Sequence, residues 1–183
     1  KFFDAKTRKD KRDLFGDFAK EKYDVIRSRD GLLKSKSKKI LGTFSSGYIP
    51  YSIDRDQDEA MQKAVPTLSE MSAAALSRFL DDDAPFLMQV EGARIDHAAH
   101  KNDIGAILNE QMAFDDAVGK MLAMTEGRDD ILFVLTSDHG NANPGLNGTG
   151  AGYRQTNEHF SRIARIKGSA EWFLQQWGKT KTK

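Results

Sequence analysis

Val90-Glu91-Gly92-Ala93-Arg94-Ile95-Asp96-His97-Ala98-Ala99-His100 follows directly on an apolar run, Phe86-Leu87-Met88-Gln89-Val90. The run is apolar except for Gln89, the pattern of a strand covered on both faces. It leads into a carboxylate, then into an Asp and a His four residues apart. A second unit repeats the plan: Ile131-Leu132-Phe133-Val134-Leu135 runs into Thr136-Ser137-Asp138-His139-Gly140. Two predicted strands thus end in an acid and an imidazole. Open α/β sheets build their sites at such strand ends. Imidazole nitrogen with carboxylate oxygen is ligand chemistry suited to zinc.

Between the two units, Asn102 or Asp103 can cap a long helix over 104–125. Its Ile107, Met112, Phe114, Val118, Met121 and Leu122 form an apolar stripe. Strand, long helix, strand is a βαβ unit and implies a parallel sheet. Further out, Thr67-Leu68-Ser69-Glu70 fits a capping box that opens a helix to Leu80, which Asp81 to Pro85 ends. Ile40 to Phe44 reads as a strand and Tyr23 to Ile26 as a short one. Residues 2–22 read as a charge-rich helix with Leu14, Phe15 and Phe18 at helical spacing. The Lys/Ser run to Lys39 and the Gly/Asn-rich 140–152 read as loops, and 47–65 as irregular. Two helical stretches, 160–166 and 169–177, close the chain. The expected fold is α/β, part of a doubly wound, mainly parallel sheet with helices on both faces. Residues 1–183 form one α/β domain in this reading, a fragment of a larger one.

The chain has 183 residues, enough for a domain with a real core. Its 28 basic and 27 acidic side chains leave a net charge of +1, which gives no support for nucleic-acid binding. The run Lys34-Ser35-Lys36-Ser37-Lys38-Lys39 has no aromatic residue for base stacking and reads as a solvated loop. With no cysteine, any zinc must be held by His, Asp and Glu. No apolar run reaches the roughly 18 residues of a membrane span, and Lys1-Phe2-Phe3-Asp4 has no signal-peptide pattern.

Of the four histidines, His97, His100 and His139 follow predicted strands within a few residues. A parallel sheet places both strand ends on one edge, so Glu91, Asp96, His100, Asp138 and His139 can converge. A catalytic zinc takes three protein ligands and keeps one position open, so five candidates suggest more than one metal. Metals paired at roughly 4 Å suit phosphoryl transfer. A lone Asp-His pair at a strand end is common. A simple amphipathic α/β domain with capping acids is the alternative.

At these residues the chain resembles the alkaline phosphatases. The stretch Phe86 to His100 is similar to that family's metal-binding strand and turn, and Thr136 to Gly140 to its second metal motif. Weaker similarity extends over residues 1–140, through Leu41-Gly42-Thr43-Phe44-Ser45-Ser46-Gly47-Tyr48-Ile49-Pro50-Tyr51, Pro66-Thr67-Leu68-Ser69-Glu70-Met71 and Phe114-Asp115-Asp116-Ala117-Val118. The resemblance implies two zinc ions and one magnesium ion. Glu91 would be a magnesium ligand. Asp96 and His100 would bind the zinc that faces the leaving-group oxygen. Asp138 and His139 would bind the second zinc, beside the nucleophile. His97 would lie one step out, touching phosphate through water or tuning the third metal; a plain surface histidine is its alternative.

The implied reaction is hydrolysis of phosphomonoesters by double displacement through a phosphoserine. The family's serine, a bridging Asp, a Thr and a phosphate-binding Arg precede the segment matched here, so no catalytic nucleophile is assigned within the chain. The family's last zinc-binding His lies well beyond the Asp-His motif. His159 is the only candidate by order, and its context reads as a surface helix. The chain is therefore expected to be a piece of an alkaline phosphatase, inactive alone, with at least one open sheet edge. Family members are often dimers and act outside the cytoplasm, which implies a homodimeric parent in a periplasmic or extracellular location. Other hydrolases of the same superfamily (phosphodiesterase, sulfatase-like, phosphomutase) and a non-catalytic metal-binding domain are the competing readings.

Overall fold

The computed structural model describes residues 3–82, 84–141, 152 and 155–181. In chain order the elements are α1 (Leu14–Lys20), β1 (Asp24–Ile26), α2 (Arg29–Lys34), β2 (Ile40–Gly42), α3 (Ser52–Arg55), α4 (Glu59–Ala64), α5 (Leu68–Leu80), α6 (Ala93–His100), α7 (Ile104–Met124), α8 (Thr156–Ile163) and α9 (Ala170–Lys181). Strands β1 and β2 pair in parallel, with Val25 opposite Leu41. Their connection carries α2, so the parallel unit forms here rather than around the long helix. The chain is α/β. Among the described residues the sheet has two strands, and a doubly wound sheet is not seen.

Local chemistry explains the helices that form. The Thr67 hydroxyl accepts from the Glu70 amide at 3.1 Å, and the Glu70 carboxylate accepts from the Thr67 amide at 3.0 Å, closing the predicted capping box of α5. Asp103 caps α7 through the Ala106 amide at 3.0 Å, which selects it over Asn102. Ser28 caps α2, which ends at Lys34 where the Lys/Ser loop begins, and Asp58 caps α4, which with α3 makes the region read as irregular, 47–65, partly helical. The first helix is much shorter than 2–22, because only Leu14 to Lys20 keeps helical hydrogen bonding.

The core joins α3, α6 and α7. Tyr51, Ile53, Ala98 and Ala106 are buried together, with Ile107 and Ile166 packed on them. Small residues at Ala98, Gly105 and Ala106 let the chain approach closely. A Cβ on Gly105 would lie 2.5 Å from Ile166 Cγ2. Asp54 anchors the C-terminal part to this core. Its carboxylate accepts from the Ser169 amide at 2.7 Å and from the Ser169 hydroxyl at 2.6 Å, all in a buried setting. Burial still holds the Asp54 carboxyl above the ordinary Asp range.

Phe86 to Val90 and Ile131 to Leu135 are not strands here. No backbone hydrogen bond among the described residues joins either of them into a ladder. Both lie along α7 and line a cleft of about 720 Å³ with Phe114, Val118 and Met121. Leu87 is 94% and Leu132 87% exposed. A fully apolar strand is stable only with neighbours on both sides and cover on both faces. The described residues supply α7 on one side and no flanking strand. Among the described residues, no helix is long and apolar enough to cross a membrane. The Gly/Asn-rich loop read at 140–152 falls largely outside the described residues.

Candidate metal-ligating site

Helix α6 carries the first motif. It starts at Gly92, where a Cβ would lie 2.9 Å from Ile95 Cδ1 and 3.1 Å from Phe114 Cδ2. The acid–imidazole spacing that reads as a strand-end turn is thus one helical turn. Residues four apart on a helix face the same way, and His100 Nε2 lies 3.5 Å from Asp96 Oδ1. Glu91 is exposed just ahead of the helix and makes no side-chain hydrogen bond among the described residues.

The second motif lies in an exposed, irregular stretch. Asp138 Oδ2 is 3.4 Å from His139 Nε2, and Asp138 Oδ1 accepts from the His139 amide at 3.0 Å. His139 Nδ1 is 3.1 Å from the Gly140 carbonyl. A carbonyl oxygen can only accept, so in this contact Nδ1 is the donor. A backbone carbonyl that orients the imidazole in this way is a usual partner of a metal-binding histidine.

Asn141 connects the motifs. Its amide nitrogen donates to Asp96 Oδ1 at 2.5 Å, across 45 residues of sequence. This hydrogen bond ties the segment just past the second motif to the Asp of the first, a helix residue to a loop residue. Among the described residues, no group of three or more His, Cys, Asp or Glu is close enough to hold a metal ion. Each acid–imidazole pair fits zinc in donor type and falls short of the three protein ligands of a catalytic zinc. The side chain of His159, read from the sequence as a surface histidine, lies outside what is described.

Two residues of the site neighbourhood are not legible as such in the sequence. Arg94 is 6% exposed, with its guanidinium carbon 3.6 Å over the ring of buried Tyr51. Its Nη1 lies 3.2 Å from His97 Nδ1, and its Nη2 3.5 Å from Glu171 Oε2 in α9. Lys101 donates to the same Glu171 oxygen at 2.9 Å and holds that carboxyl below the usual Glu range. His97 also packs on Tyr48, with ring centroids 4.3 Å apart. Asn141 is the second. Its polar side chain two positions after an Asp-His pair carries no distinguishing pattern, whereas an Arg inside an amphipathic turn reads as surface.

Residues 2–182 match the alkaline phosphatase family model, and the chain belongs to that family. It is 34% identical over 132 residues to alkaline phosphatase 3 of Bacillus subtilis, covering 72% of this chain and 27% of that protein. It is 36% identical over 147 residues to the repressible alkaline phosphatase of Saccharomyces cerevisiae, covering 73% and 25%. The crystal structure of Thermus thermophilus alkaline phosphatase superposes with a TM-score of 0.87 at 36% identity, over 95% of this chain and 36% of that one. The chain thus spans between a quarter and about a third of the length of these relatives.

Proposed function

We propose that the whole protein hydrolyses phosphate monoesters and that this chain supplies part of its metal site. The observation that carries this reading is the Asn141–Asp96 hydrogen bond, which in a chain of the alkaline phosphatase family ties the segment next to the second acid–imidazole pair to the Asp of the first. In this reading Asp96 and His100 hold one zinc ion, Asp138 and His139 a second, and Glu91 contributes to a magnesium ion. Bound zinc supplies positive charge that lowers the pKa of an oxygen nucleophile and offsets charge on the phosphoryl oxygens. Asn141 fixes one oxygen of Asp96, and the Gly140 carbonyl fixes the ring of His139. His97 touches a phosphoryl oxygen through water. No serine of these 183 residues is assigned as nucleophile.

The same reading places Phe86 to Val90 and Ile131 to Leu135 in a larger, doubly wound sheet of the whole protein. Their apolar character, their exposure and the likeness to the Thermus structure support it. A homodimeric whole protein and a periplasmic or extracellular location belong to the proposal on family membership alone.

The test is hydrolysis of 4-nitrophenyl phosphate by the whole protein at alkaline pH. Chelation abolishes turnover and zinc with magnesium restores it. Asp96→Ala and Asp138→Ala each lower kcat/KM by at least about 100-fold, the scale set by loss of a charge-stabilising group. Metal-independent turnover, or a preference for diesters or sulfate esters, overturns the reading.

A further inference from the structure

Arg94 and His97 lie one helical turn apart on α6, with Nη1 and Nδ1 separated by 3.2 Å. A guanidinium has five N–H donors and no acceptor. The imidazole nitrogen facing it must therefore accept, and a neutral ring that accepts at Nδ1 carries its proton on Nε2.

Arg94 is not free to give way. Its guanidinium stacks on the Tyr51 ring, which is itself buried. One nitrogen faces Glu171 in α9, and Lys101 pins the same carboxylate oxygen. Tyr51 at the start of α3, α6 itself and α9 thus fix the donor before the histidine is considered. Tyr48 then packs on the His97 ring and limits its rotation. The contrast with His139 is chemical. There a carbonyl faces Nδ1, so that nitrogen donates where His97 Nδ1 accepts.

We propose that Arg94 is a positioning residue that holds His97 as the Nε2–H tautomer, making His97 a hydrogen-bond donor to an anionic oxygen and not a metal ligand. That the anion is a phosphoryl group rests on the function proposed above; the role of Arg94 does not.

Nitrogen NMR on the chain labelled with 15N-histidine tests this without metal, at alkaline pH where imidazole is neutral. The His97→Gln variant assigns the His97 signals. A free imidazole exchanges between both tautomers, and its nitrogens resonate between the two limits. In the wild-type chain the His97 Nε2 resonance is expected at the pyrrole-type limit. In Arg94→Met it moves toward the free-imidazole value, while His100 and His139 keep their shifts. A pyrrole-type Nδ1 in the wild-type chain overturns the proposal, as does an unchanged Nε2 resonance in a folded Arg94→Met chain. If that variant does not fold, the wild-type spectrum still decides, because a mixed-tautomer His97 contradicts the assignment. The tautomer is read in the absence of metal, so a failure to bind zinc counts against the proposed function and leaves this result standing.

Discussion

The amide of Asn141 donates to Oδ1 of Asp96 at 2.5 Å, across 45 residues of sequence. The same Oδ1 lies 3.5 Å from His100 Nε2, so Asn141 engages the oxygen that faces the imidazole. Partners that orient a metal-binding carboxylate usually tune affinity by about 10–100-fold. Asn141→Ala is therefore expected to weaken zinc binding by about that factor, with little change in thermal stability. A competition titration against a chromogenic chelator reads it. An unchanged affinity means that Asn141 does not orient the ligand.

Asp54 gives the chain a pH dependence of defined sign. Burial raises its folded-state pKa above the unfolded value, although two Ser169 donors oppose the shift. Its favourable contribution is complete below the unfolded Asp pKa of about 4 and is lost as pH rises through the raised folded value. Asp54→Asn removes this titration. Urea denaturation at a series of pH values should show the stability of the wild-type chain falling relative to Asp54→Asn as pH rises through that window. A difference that stays constant with pH contradicts the account.

Gly105 is where α7 meets Ile166. A Cβ there would lie 2.5 Å from Ile166 Cγ2 in a packed setting. Gly105→Ala is expected to destabilise the chain by about 1–3 kcal/mol, the usual cost of overpacking. Ile166→Ala removes that Cγ2, so the two substitutions together should cost less than the sum of their separate costs in a double-mutant cycle, because the two sites share one contact. Additive effects would show that Gly105 is tolerated for another reason.

Leu87 and Leu132 stand exposed on two apolar stretches that lack flanking strands among the described residues. Surfaces of this kind bind dyes and other chains. The 183-residue chain is expected to enhance 8-anilinonaphthalene-1-sulfonate fluorescence and to self-associate with rising concentration. Leu132→Lys with Val134→Lys should reduce both. A chain that stays monomeric and binds no dye contradicts the exposure described here.

What was legible in the sequence was mostly local. The capping box at Thr67 and Glu70 and the cap at Asp103 need only residues within one turn, and both form. Helices α2, α3 and α4 are four to six residues long, too short to show a periodic stripe in the sequence. Residue type alone marks the two acid–imidazole pairs, and nothing local in the sequence marks their helical and loop settings. Helix α6 has Gly92 at its start with no side-chain cap, so the sequence carries no start signal there. The predicted strands at 86–90 and 131–135 have strand composition. A strand is a property of its neighbours, and the described residues do not provide them. Arg94 was illegible because its partners Tyr51 and Glu171 lie 43 and 77 positions away in sequence.

Zinc content after exhaustive dialysis tests the central claim most directly, measured by elemental analysis on the whole protein and on its Asp96→Ala and Asp138→Ala variants. The account predicts that the wild type retains zinc and that each variant loses part of it while remaining folded by circular dichroism. Wild-type zinc content in both variants, or no zinc in the wild-type protein, would contradict it.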